Sequence, residues 1–68
     1  MEITIEFYEC EHEGDLETYI QDLIKCGASI VSSKVFERGE VGEVIINVKD
    51  RNKFWEEFSK TDSYDFVN

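Results

Sequence analysis

The stretch Glu9-Cys10-Glu11-His12-Glu13-Gly14-Asp15-Leu16-Glu17 sets a carboxylate at every second position five times running. Such a comb could hold a cation, imitate a phosphate backbone, or form a solvated acidic loop. Against a calcium loop of the EF-hand kind, Glu9, Glu11, Glu13, Gly14 and Glu17 fall at positions one, three, five, six and nine. Position twelve, which needs a bidentate Glu, is Ile20, and the short Asp wanted at position one is Glu9. A zinc site would draw on Cys10, His12 and Cys26, but it would need a carboxylate as fourth ligand at a spacing foreign to fingers and ribbons. The residues therefore predict no metal and no cofactor, with Cys10 and Cys26 as reduced, partly buried thiols.

Mimicry of a nucleic-acid strand suits the comb better. Alternate residues of an extended chain lie about 6.6 Å apart on one side. Successive phosphates rise about 3.4 Å along the axis and are further separated by the arc around it. A row formed by Glu2, Glu6, Glu9, Glu11, Glu13, Asp15, Glu17 and Asp22 could thus occupy a basic groove. These eight acids are all the charges of residues 1–22; the first base is Lys25. The rest of the chain holds eight acids against seven bases, so nearly all of the net charge of −9 sits in the first third. A field of one sign repels nucleic acid and anionic membranes and steers basic partners in.

Other chemistries have little to stand on. His12 is the one histidine and reads as an exposed loop residue, no nucleophile, base and acid are spaced as a triad, and Gly39 and Gly42 are too few for a phosphate-cradling loop. An RNA-recognition sheet would want aromatic residues on its central strands and a basic surround, whereas Glu43 to Lys49 has neither. No apolar run approaches the roughly 18 residues of a membrane span, and Met1-Glu2-Ile3-Thr4 does not open as a secretory leader. The expectation is a cytoplasmic, non-enzymatic protein. At 68 residues it forms one domain, 1–68, small enough that self-association is expected to help its core.

The elements that position the acids follow from periodicity. Glu2 to Tyr8 alternates polar residues with Ile3, Ile5 and Phe7, a half-buried strand with one acidic face. From Asp15 the period becomes helical, with Leu16, Tyr19, Ile20, Leu23 and Ile24 on one stripe; Gly14 and Asp15 supply the start and Gly27 the left-handed stop. Ala28 to Arg38 reads as an edge strand whose faces slip midway, as at a bulge. A turn with Gly39 and Gly42 leads to the central strand Glu43 to Lys49. Asp50 caps a second helix with Phe54, Trp55 and Phe58 on one face, ending near Lys60; the three read as core, and the alternative for Trp55, which is off-centre, is a partner anchor. Tyr64 and Phe66 suggest a short closing strand. The order predicts an α+β, ferredoxin-like split βαβ fold, βαββα plus that strand, with both helices on one face of an antiparallel sheet. The open face would show Glu2, Thr4, Glu6 and Tyr8 beside Ile45, Asn47 and Lys49.

On Gly14-Asp15-Leu16, the apolar positions Tyr19, Ile20 and Leu23, and Gly27 followed by Ile30, the chain resembles the ACT domain. That resemblance implies a regulatory module that dimerises through its sheet and binds a small effector near Gly14 and Asp15. In size and charge the chain also resembles the small acidic inhibitors that phages make against host defence nucleases, such as anti-CRISPR proteins. The favoured expectation is an inhibitor-like binding protein that offers its acidic N-terminal face to a basic, nucleic-acid-binding partner protein, without touching nucleic acid or membrane itself.

Overall fold

Alternation in the first segment produces the strand β1, Glu2–Phe7, in which Ile5 and Phe7 are buried while Glu2, Thr4 and Glu6 are exposed. The computed structural model describes residues 1–10, 13–36 and 40–67, with Glu13 at the level of its backbone. After β1 come α1 (Glu13–Lys25), β2 (Ser29–Phe36), β3 (Val41–Asn47), α2 (Arg51–Phe58) and a 3₁₀ helix (Asp62–Phe66). The strands form one antiparallel sheet in the order β1-β3-β2. β3 is central because its residues alternate between a buried set, Val44 and Ile46, and a half-buried set, Glu43 and Ile45.

Register fixes the faces. Ile5 lies opposite Val44, Ile3 opposite Ile46, and Phe7 opposite Gly42, so one face of β1 and β3 is apolar. Both helices pack on that face: Tyr19 of α1 stacks on Phe7 at 4.8 Å, and Phe58 of α2 meets the same ring edge-on at 6.2 Å. Phe7, Leu23 and Phe58 are wholly removed from solvent. Each such side chain contributes about 2–3 kcal/mol through burial. The other face carries Glu2, Thr4 and Glu6 across from Asn47, Ile45 and Glu43, as the alternation predicts.

Local signals hold at several points. Gly27 ends α1 at φ 95°, and the carboxylate of Asp50 accepts a hydrogen bond from the Lys53 N–H at 3.1 Å to cap α2. β2 is the edge strand, with its bulge between Ile30 and Ser32. No helix among the described residues is long and apolar enough to cross a membrane.

Other expectations need correction. The closing strand is a 3₁₀ helix, and only a bridge between Val67 and Phe7, with the Tyr8 N–H donating to the Phe66 carbonyl at 2.7 Å, continues the sheet beyond β1. The segment coils because it is drawn onto α1: the buried Ser63 hydroxyl donates to Asp22, and Phe66 stacks on Tyr19 at 5.3 Å. Helix α1 starts two residues before Asp15, so Asp15 lies in its first turn and is not the cap. Ile24, assigned to the buried stripe, is 47% exposed. β3 begins at Val41, which moves Gly42 out of the turn and into the central strand.

Gly42 stands there because there is no room for a side chain. A Cβ on it would lie 2.8 Å from Leu16 Cδ1 and 2.9 Å from Cys10 Sγ, both buried. Gly42→Ala should therefore cost about 1–3 kcal/mol through overpacking. Urea denaturation measures it, and a variant as stable as the parent would contradict this packing.

Candidate functional site: the acidic end

The acids gather where β1 finishes and β3 begins. At that end Glu6 lies directly opposite Glu43, and Glu43 opposite Lys34 on β2. Like charges facing across a sheet destabilise it by roughly 0.2–1 kcal/mol. Beyond the strand ends, the Cys10 N–H donates to the Glu40 carbonyl at 2.8 Å, joining the loop after β1 to the hairpin before β3. Both residues beside this link, Glu9 (φ 56°) and Glu40 (φ 54°), hold left-handed backbone. Each such glutamate stores on the order of 1 kcal/mol that Gly or Asn would not.

The loop is pinned from inside. Tyr19 is buried between Phe7 and Phe66, and its hydroxyl donates to the carbonyls of Tyr8 (3.3 Å) and Glu9 (3.5 Å). Cys10 is buried beneath Leu16, its thiol 3.8 Å from the Phe7 carbonyl. Burial pushes the Cys10 thiol above its ordinary value, a hydrogen bond from Gly42 opposes this, and the charge of Asp15 adds to it. Burial likewise raises Tyr19, helped by negative charge on Cys10, Asp15 and Glu9, and raises Cys26, helped by Asp22 and Glu57.

Of the expected binding residues, the structure brings Glu6, Glu9 and Asp15 to this end, with exposed Glu17 two residues further along α1. Glu2 sits at the other end of β1, opposite Asn47. Asp22 faces the 3₁₀ helix as the acceptor of the Ser63 hydroxyl, so its carboxylate holds the fold together. Glu11 and His12 lie outside the described residues, as does the side chain of Glu13. The extended comb does not persist: Glu9 is left-handed and α1 begins at Glu13. Positions 13 and 17 are instead one helical turn apart, a rise of about 6 Å. Glu40 and Glu43 join the cluster from the hairpin, which the charge count placed in the nearly neutral remainder.

At the opposite end, a groove of about 350 Å³ between α1 and α2 is lined by Cys26, Val48, Lys49, Lys53, Phe54 and Glu57 among others. It lies away from Gly14 and Asp15, which the ACT-like resemblance assigns to an effector. Cys10 and Cys26 are both free. Ten helical residues separate Leu16, which covers Cys10, from Cys26, about 15 Å, so the two sulfurs cannot share one metal. No group of three or more metal-binding side chains occurs among the described residues.

The raised thiol and phenol values set an alkaline limit. The folded state holds these protons to higher pH than the unfolded chain, so their contribution is complete below the ordinary cysteine value of 9.0 and is lost as pH rises beyond it, with Tyr19 adding above 10.0. Melting curves from pH 7 to 11 should be flat and then fall. Tyr19→Phe keeps both ring stacks but should lose about 1–2 kcal/mol at neutral pH and show a smaller drop above pH 10. No known protein family, curated protein or solved structure matches the chain.

Proposed function

We propose that this protein is a non-enzymatic binding protein whose acidic end occupies a basic, nucleic-acid-binding surface of another protein, in the manner of a phage anti-CRISPR inhibitor. The observation that supports the reading is convergence. Acids from β1 (Glu6), the following loop (Glu9), the start of α1 (Asp15, Glu17) and the hairpin (Glu40, Glu43) meet at one end of the molecule. Four of the seven bases, Lys25, Lys49, Arg51 and Lys53, lie at the other end, where α1 finishes and α2 starts. The result is a polarised molecule that orients a basic partner as it approaches.

The arrangement β1-β3-β2 with two helices on one face supports the ferredoxin-like reading of the fold, with the fourth strand reduced to the Val67 bridge. On this scaffold the carboxylates come from the ends of β1, β3 and α1 and from the two segments that the Cys10–Glu40 backbone bond joins, which suits a surface that competes with a phosphate backbone. Nucleic acid itself is repelled by the same field, so the ligand is the protein that binds it.

The test is a pull-down from the native host with washes of graded salt, followed by charge reversal. Glu9→Lys, Glu17→Lys and Glu43→Lys combined should weaken binding by at least about tenfold and flatten its salt dependence. Capture that holds equally at high ionic strength, or that survives the triple reversal, would refute the reading.

A further inference from the structure

We infer that β2 is a self-association edge, pairing antiparallel with β2 of a second copy about a two-fold axis near Ser33. β2 hydrogen-bonds to β3 on one side and ends the sheet on the other. Its eight residues present a row of backbone donors and acceptors over about 26 Å. Edges of that length are normally blunted by charge, proline or cover. β2 has one charge, Lys34, and no proline, and its bulge lies at one end, leaving residues 32–36 regular.

The helix layer stops short of this edge. Val35 lies opposite Gly42 and so belongs to the apolar face, yet it is 47% exposed; Val31, at the bulge, is 54% exposed. Leu16, at the start of α1, sits over Gly42 of the central strand, and the far end of the helix is closed by the Ala28 N–H donating to the Leu23 carbonyl just before β2 begins. Asp22, Tyr19 and Cys26 turn one flank of α1 towards the 3₁₀ helix and α2. Ile24 therefore lies on the opposite flank, beside β2, and it too is exposed. Three large apolar side chains thus line a sheet edge.

A second copy is the occupant that the residues select. Val31-Ser32-Ser33-Lys34-Val35 reads almost the same from either end. A two-fold axis at Ser33 sets Val31 of each chain against Val35 of the other and places Lys34 beside Ser32, with no like charges opposed. Residues 23–36 contain Lys25 and Lys34 and no acid, in a chain with sixteen acids. This is the one long stretch along which two chains of charge −9 can approach with least repulsion. Strand pairing with the four valines buries on the order of 1,000 Å² in total, enough for a weak, specific dimer. The contact uses the sheet edge and leaves the acidic end free.

Sedimentation of the full chain tests this. The expected mass is twice 8.0 kDa, with tighter association as salt rises, because screening relieves the repulsion between the two copies. That slope is opposite in sign to the one expected for a basic partner, so the two proposals fail separately. Val31→Lys with Val35→Lys alters exposed side chains only; circular dichroism should be unchanged while the dimer weakens by at least about tenfold. In a Cys26→Ser background, Ser33→Cys should form a disulfide-linked dimer on mild oxidation, since paired Cα atoms about 5 Å apart suit a disulfide. A monomer at about 200 µM in high salt, far above the micromolar range such an area supports, would overturn the inference. So would a dimer indifferent to the two lysines or a Ser33→Cys variant that does not cross-link.

Discussion

The packing around the Phe7 ring is the constraint on which the other parts of this structure depend. With so short a chain there is one core, and Phe7 is where its layers meet. Tyr19 brings α1 onto the ring, Phe58 brings α2, and the Val67 bridge brings the end of the 3₁₀ segment to the same residue. Phe58 extends the aromatic contacts to Phe54 at 5.5 Å and Tyr64 at 6.1 Å. Aromatic side chains suit a domain of this size because each removes a large area from water and adds about 0.5–1.5 kcal/mol per well-oriented pair. Gly42 is the complement of that crowding: directly opposite Phe7, it leaves space for Leu16 and Cys10 to close over β3.

From this node the apolar interior sets the position of the charges outside. Tyr19 can donate to the carbonyls of Tyr8 and Glu9 only because its ring is held between Phe7 and Phe66. Those bonds direct the chain after β1, so that the Cys10 N–H meets the Glu40 carbonyl and the two left-handed glutamates come together. The same packing consumes one acid that the charge pattern alone would assign to the surface. Asp22 is spent on Ser63, which ties the coiled C-terminal segment to α1.

Sequence reasoning reads the repetitive parts of this molecule well and its singular parts poorly. Periods of two and 3.6 reveal β1, α1 and β3, and single residues with strong local preferences, Gly27 and Asp50, mark where helices end and begin. The bulge in β2 is legible because β-branched residues change face within one run. Gly42 is misread because two glycines three positions apart, Gly39 and Gly42, look like a turn; its purpose depends on Leu16 and Cys10, distant in sequence. The 3₁₀ helix is misread because Tyr64 and Phe66 alternate as strand residues do, while Ser63 and Phe66 are claimed by α1. Two of the six acids of the cluster, Glu40 and Glu43, are hidden for a similar reason. Glu43 faces Glu6 only once the register of β1 on β3 is known, and a charge count along the chain cannot supply a register.

The cost of this charge distribution bears on whether it is merely a device for solubility. Solubility needs net charge, and spreading that charge evenly minimises self-repulsion. Here acids from separate segments are drawn together, two face each other across the sheet, and two more occupy backbone conformations that Asn or Gly would hold at lower energy. Lys34 faces Glu43 across the sheet, while Lys25, Lys49, Arg51 and Lys53 stand at the far end of α1 and around the start of α2. Left-handed backbone at two glutamates and like charges in register each cost stability in a domain this small, and the link that joins the two segments is made by the backbone of Cys10 and Glu40. Under the proposed reading this charge distribution has a use: like charges gathered at one end become favourable when an opposite charge on a partner covers them.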